Sequence, residues 1–299
     1  MVGRVGDAAQ SYRTGTTLLQ IQGRLRDLQT SIATGKAAGS YADMPSSTAV
    51  LLRSQSHRTQ LGTFISQNEH LLDRLQAVDG ALGAIGAIAE RMRSLVVNRL
   101  DAATGASVPL DTEVDSALEE IEARLNLQIE GRYVFAGSRT DTAPVDLPSP
   151  PITSTDSSLY YQGDAVPTRS RVGPDVELDH SLTAAEGPFA QLISALGQAR
   201  EAHLAGDNTG LESALTDLAA AIGGIADLRG DNGAKATRLE SITETHRSTA
   251  LYLDDTIDRL ESTDLPAAMA RLAEEQANLE AAYMTVSSLT KLSLVDFLR

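Results

Sequence analysis

Apolar residues at the two ends of the chain recur in the same alternating rhythm of three and four residues. Near the start, Leu18, Ile21, Leu25, Leu28 and Ile32 keep that rhythm. Near the end, Leu265, Met269, Leu272, Gln276, Leu279, Tyr283, Val286 and Thr290 repeat it. Such a stripe is the seam of a coiled coil, and it needs a partner helix. It is too narrow for a helix buried on every side, and a lone helix of this length is marginal in water. Each terminal stripe therefore predicts pairing with the other, or with a second copy of the chain.

The same pattern divides the interior. A first helix is predicted over residues 7–34, closed by Gly35 with Lys36 beside it. A polar connector from Ala37 to Ser47 precedes a long periodic run from about Ser46 to Leu100. In that run Leu71, Leu75, Val78, Leu82, Ile85, Ala89, Met92 and Val96 alternate without a slip, although Gly80, Gly83 and Gly86 each weaken the helix. After a Thr104–Pro109 loop, Val114, Leu118, Ile121, Leu125 and Ile129 predict a helix stopping near Gly131. The period then changes, and Pro, Ser, Thr and Asp dominate up to Gly187-Pro188. Leu159–Tyr161 and Thr168–Val172 are strand-like runs inside that stretch. Helix resumes at Pro188, breaks at Gly206–Thr209, and continues through Leu211, Leu218, Ile225, Leu239, Leu253 and Leu260. Gly230-Asp231-Asn232-Gly233 is either a break or a soft spot in this run. A last helix is predicted from about Asp264 to Ser288.

The fold expected is mainly α: an elongated helical rod with coiled-coil terminal helices and a small β-rich insertion. Residues 1–40 with 264–299 would form the terminal part, 41–136 with 188–263 the helical rod, and 137–187 the β-rich part. A straight helix of about 35 residues spans roughly 50 Å, so such a nested chain would be long.

Composition narrows the function. Aromatics make up only 4 % of the 299 residues and there is no Trp, which suits a bundle packed with aliphatic residues better than a compact enzyme. The formal net charge is −15. Nucleic-acid affinity rests on cationic neutralisation of phosphates, and anionic membranes repel acidic chains, so neither partner is expected. The absence of cysteine excludes thiolate zinc sites and cysteine nucleophiles. The first residues lack the apolar core of a Sec-type signal peptide, and Ala81–Ala89 is too short to span a bilayer.

The search for chemistry is negative. His57, His70, His180, His203 and His246 stand singly, without metal-ligand spacing. Gly35-Lys36 lacks the upstream glycine of a phosphate loop, and no Gly-x-Ser-x-Gly elbow occurs. Asp254-Asp255-Asp258 and Glu274-Glu275 read as wet helix faces. Arg229-Gly230-Asp231 spells an integrin-type tripeptide in a helical context, where chance explains it. No catalytic residue, cofactor or metal site is expected.

Three segments carry a resemblance. Leu28–Lys36 with Asp43 and Pro45, Arg91–Leu95, and Leu292–Leu298 resemble the flagellin-type axial proteins of bacterial flagella, in the right order and spanning the chain. Gly131-Arg132-Tyr133-Val134-Phe135-Ala136-Gly137, Tyr160–Asp164 and Arg169–Val172 are most similar to the hook-associated, hook–filament junction branch of that family. The resemblance implies a structural part without catalysis, exported unfolded by the type III route without a cleaved signal peptide, and located outside the cell in the flagellum. Its implied partners are further copies in a tubular ring, the first hook-associated protein, flagellin, and an export chaperone bound within about Leu265–Arg299. The expected assembly interface comprises Leu18, Ile21, Leu25, Leu28, Ile32, Met269, Leu272, Leu279, Tyr283, Val286, Leu292, Leu294, Phe297 and Leu298.

Two other readings stay open at this stage. One is a short flagellin that forms the filament itself. The other is a surface polysaccharide-binding module that would use Phe135, Tyr160 and Tyr161 as a stacking platform.

Overall fold

The computed structural model describes residues 2–37, 48–101 and 107–297, and within these the side chains of 12–37, 48–101 and 107–287. The connector around Gly39, Asp43 and Pro45, and the Thr104 end of the following loop, lie outside the described residues.

The described chain is mainly α-helical. In order it forms α1 (Val2–Thr34), α2 (Thr48–Leu100), α3 (Leu110–Leu125), strands β1 (Gln128–Ile129) and β2 (Arg132–Tyr133), strands β3 (Arg169–Gly173) and β4 (Val176–Asp179), then α4 (Gly187–Ala205), α5 (Asn208–Glu261) and α6 (Leu265–Phe297). A small β-rich insertion between α3 and α4 matches the expected fold class. The chain divides into two compact units, one of residues 1–60 and 248–299, the other of 61–247.

Local chemistry sets the helix ends. Gly35 takes the left-handed conformation just past α1, at φ 71°, where a Cβ would be strained. Pro188 sits in the first turn of α4, where its missing N–H costs nothing. Gly206 closes α4 at φ 69°, and the Asp207 carboxylate accepts the Thr209 N–H at 3.0 Å to open α5. Asp264 does the same for α6, accepting from Ala267 N–H at 3.1 Å.

Two sequence expectations need correction. The third helix does not run to Ile129 but ends at Leu125, and Gln128–Tyr133 turns back as a hairpin. Its two turn residues, Glu130 at φ 52° and Gly131 at φ 77°, both have positive φ, as the tightest hairpin turns require. The run Leu159–Tyr161 is not a strand. Ser157–Leu159 form a short 3₁₀ turn, and Tyr161 makes a single antiparallel bridge with Val145.

The Gly230–Gly233 question is answered: α5 is continuous across it for its full 54 residues. Within the 61–247 unit Asn232 is buried and donates to the Leu75 carbonyl at 2.8 Å. That bond fastens the glycine-rich turn of α5 to α2, so the helix survives four residues of low propensity.

The main core of this unit gathers Leu82, Ile85 and Met92 of α2, Ile121 and Leu125 of α3, Phe189 and Ile193 of α4, and Leu211 and Leu218 of α5. The insertion contributes Phe135, Val145, Ile152 and Tyr160 to the same core. Phe135 meets Phe189 edge to face, with ring centroids 6.2 Å apart. A smaller cluster of Leu71, Leu75 and Leu239 seats the β3–β4 hairpin through Val172 and Leu178. The Val172 carbonyl accepts from Asn68 at 3.1 Å and meets His246 Nε2 at 2.9 Å.

Candidate assembly face of the terminal helices

Helices α1 and α6 pack against each other in antiparallel fashion within the 1–60 and 248–299 unit. The direction follows from three contacts, one to Thr263 just before α6 and two along the helices themselves. Ser31 Oγ donates to Thr263 Oγ1 at 3.1 Å, Arg24 pairs with Glu275 at 3.3 Å, and Gln22 donates to the Tyr283 hydroxyl at 2.9 Å. At the junction end, the Ala37 N–H donates to the Glu261 carbonyl and Thr263 N–H to the Gly35 carbonyl, at 2.7 and 2.9 Å. Lys36 adds an ion pair with Glu261 at 3.2 Å. In the same unit the start of α2 and the end of α5 are joined by a two-pronged bond from Arg58 to Asp254. That carboxylate raises the Arg58 pKa above its ordinary value.

The covered face of α1 is the stripe expected from its sequence. Ile21 and Leu25 are buried, while Leu18, Leu28 and Ile32 are half-buried. On α6 the covered face is rotated from the expected one. Ala268 is buried, and Leu272, Glu275, Leu279, Ala282 and Val286 are half-buried. Met269 and Tyr283, the flanking members of the stripe, stay 59 % and 48 % exposed, and Leu265 43 %. The pair therefore leaves half of the α6 stripe open. Leu19 at 69 % and Tyr12 at 79 % on α1, with Met284 at 71 %, enlarge the apolar surface left uncovered in this unit. The expected interface residues Leu292, Leu294, Phe297 and Leu298 lie outside the described side chains.

Contiguous exposed apolar residues are a common mark of interaction surfaces, which makes the open half of the α6 stripe the candidate here. Residues that sequence reading missed, Ala268, Glu275 and Ala282, line the covered side. Alanine carries a weak hydrophobic signal and Glu275 reads as a wet position until its partner Arg24 is known.

Among the described residues no group of three or more His, Asp or Glu could hold a metal ion. No described helix is long and apolar enough to cross a membrane. The stacking platform considered for sugar binding is absent, because Phe135 and Tyr160 are fully buried. The Tyr160 hydroxyl is spent on the Ala184 carbonyl at 2.9 Å, and burial raises its pKa.

Against known proteins, residues 7–140 match the model of the bacterial flagellin N-terminal helical region. No curated protein sequence matches the chain. Among solved structures, Bacillus cereus FlgL is similar at 18 % identity and a TM-score of 0.57, over 70 % of this chain and 99 % of that one. A flagellar hook-associated protein of Vibrio parahaemolyticus is similar at 19 % identity and a TM-score of 0.54, over 74 % of this chain and all of that one. Xanthomonas campestris FlgL is similar at 14 % identity and the same score, over 69 % and 99 %. At these identities the likeness is one of fold: the chain shares the fold of these hook-associated proteins.

Proposed function

We propose that this flagellin-type chain is a structural component of the bacterial flagellum, an adaptor at the junction between hook and filament. The observation that carries the reading is the joint one: a flagellin N-terminal helical region over residues 7–140, on a fold shared with hook-associated proteins over nearly their whole length. The small insertion and the Gly131–Gly137 segment favour the junction over the filament, and the burial of Phe135 and Tyr160 in the core speaks against sugar stacking.

Assembly runs through the terminal helices. Copies of the chain join in a tubular ring through the open half of the α1–α6 stripe, with Met269 and Tyr283 at its centre and Leu292, Leu294, Phe297 and Leu298 extending it. The first hook-associated protein lies on one side and flagellin on the other. Before assembly the same apolar surface of α6 is held by an export chaperone through helix-in-groove contacts. Export proceeds by the type III route, without a cleaved signal peptide, and the chain acts as a mechanical part rather than a catalyst.

Quantitative mass spectrometry of purified hook–filament complexes sorted by filament length tests this directly. The junction role requires a small copy number that stays constant as filaments lengthen. A copy number that rises in proportion to length would make the chain a filament flagellin instead, and its absence from the complexes would remove it from the flagellum.

A further inference from the structure

Arg99, in the last turn of α2, spends its guanidinium on an imidazole. Its Nε donates to Nδ1 of His203, in the last turn of α4, at 2.7 Å. On the other side of the ring, Nε2 stands 4.0 Å from a carboxylate oxygen of Asp111, in the first turn of α3. The His203 side chain is largely covered, at 17 % exposed. Three helix ends of the 61–247 unit thus meet on one histidine.

The bond fixes the protonation state of the ring. A guanidinium has only donors and keeps its proton, so Nδ1 must offer a lone pair. His203 is therefore neutral in this arrangement, and its one ring proton sits on Nε2, facing Asp111. A second proton has only Nδ1 to go to. There it would set two N–H groups, and two positive charges, facing each other at 2.7 Å. The same proton gives the ring a full charge toward Asp111, which lies inside ion-pair distance but beyond the length of a good hydrogen bond. One proton thus breaks the tie to α2 and strengthens the tie to α3.

Other arginines of this unit are held differently. Arg91, Arg200, Arg229 and Arg247 each pair with a carboxylate, a group that stays charged from about pH 5 to 8. Histidine is the side chain that exchanges its proton in that range. The other charges around the three helix ends leave the exchange to these groups. Arg200 of α4 is engaged by Asp115 of α3 at 3.0 Å. Asp207 accepts the Thr209 N–H, and Asp101, Glu113, Glu201 and, at the start of α5, Glu212 are all acidic. Among the described residues only Asp111 has its carboxylate within ion-pair distance of His203.

We propose that His203 is a proton-operated clamp on the end of α2. Neutral, it holds Arg99 and fastens α2 to α4. Protonated, it releases Arg99 and pairs with Asp111, so that α4 is tied to α3 and the last turn of α2 is loosened.

Two measurements on the full chain test this, each followed from about pH 8 to about pH 5.5, where a histidine titrates. Nitrogen-15 spectra of the histidine rings should show His203, at the upper end, as the neutral tautomer with its proton on Nε2. As the ring takes up a second proton, the Arg99 Nε–H signal should be lost at the same midpoint. Hydrogen exchange at the amides of Val97–Leu100, corrected for the intrinsic effect of pH, should lose protection about tenfold over the same range, the worth of one hydrogen bond. Amides around the buried Met92 should not change. His203→Gln keeps an acceptor for Arg99 at every pH, so it should remove the response while the chain stays folded. Asp111→Asn, which withdraws the partner of the charged ring, should move the midpoint to lower pH. The tautomer is read on the wild type, so the test does not hang on a variant folding. A neutral ring with its proton on Nδ1, or a loss of protection that persists in His203→Gln, would overturn the proposal.

Discussion

Arg229 of α5 grips Asp79 of α2 with two parallel bonds, Nε to Oδ1 at 2.8 Å and Nη2 to Oδ2 at 3.0 Å. The pair raises the Arg229 pKa and lowers that of Asp79. It also disposes of the Arg229-Gly230-Asp231 tripeptide as a recognition motif, since the arginine is engaged within a continuous helix. Gly83 lies beneath the guanidinium, and a Cβ there would sit 3.5 Å from its carbon, an ordinary contact.

Alanine should therefore be accepted at several helix glycines. At Gly230 and Gly233 a Cβ would enter open space, so the only change is in backbone freedom. Each Gly→Ala replacement should raise stability by about 0.5–1 kcal/mol, and Gly83→Ala by a similar amount. Urea denaturation reads this as a higher midpoint with an unchanged slope. A lower midpoint for Gly230→Ala would mean that α5 needs the backbone freedom of glycine at that turn.

Gly197 should behave in the opposite way. It is buried in α4, and a Cβ there would fall on the carbonyl oxygen of Ile152. Backbone cannot yield as a flexible side chain can, so Gly197→Ala should lower stability by at least about 1–3 kcal/mol. Gly223, where a Cβ would meet nothing, is the matched control on α5. Equal stability of the two variants would show that the Ile152 segment does not pack on α4 as described.

The pH dependence follows from His180. Burial and Arg74 depress its pKa to about 4 in the folded chain, against about 6.5 when unfolded. Between those values the unfolded chain binds the proton and the folded chain does not. Stability must then fall as pH drops from about 6.5 to about 4, and the loss is complete below the folded value. His180→Gln should flatten that part of the stability curve. A slope unaltered by the substitution would place His180 in a solvated setting.

Much of this was legible from spacing alone, and the failures have physical causes. The α1 stripe from Leu18 to Ile32 was readable because its buried positions, Ile21 and Leu25, and the half-buried Leu18, Leu28 and Ile32 are all large aliphatic residues. The α6 stripe was readable only in part, since Ala268 and Ala282 carry little apolar signal and Glu275 reads as exposed. The hairpin after α3 was hidden because Ile129 continues the helical period and because Glu130, not a glycine, takes the first positive φ. The continuity of α5 across Gly230–Gly233 rests on Asn232 reaching the Leu75 carbonyl, a tertiary contact that no local pattern announces.

The assembly face can be separated from ordinary packing by choosing residues on the two sides of the same stripe. Leu25 is 8 % exposed between α1 and α6, so Leu25→Asp buries an unpaired charge and should loosen that pair by several kcal/mol, leaving the 61–247 unit folded. Met269 and Tyr283 are 59 % and 48 % exposed in the same unit, so Met269→Asp and Tyr283→Asp should leave the circular dichroism spectrum and the unfolding midpoint nearly unchanged. Tyr283→Asp sacrifices the bond from Gln22, which makes Met269→Asp the cleaner of the two. If the open half of the stripe is where copies meet, Met269→Asp should block incorporation into hook–filament complexes while the chain remains fully folded. Leu25→Asp should block it as well, but with a measurable loss of helix. Normal incorporation of folded Met269→Asp would mean that the exposed half of α6 is bare surface, and the contacts between copies would have to be sought elsewhere.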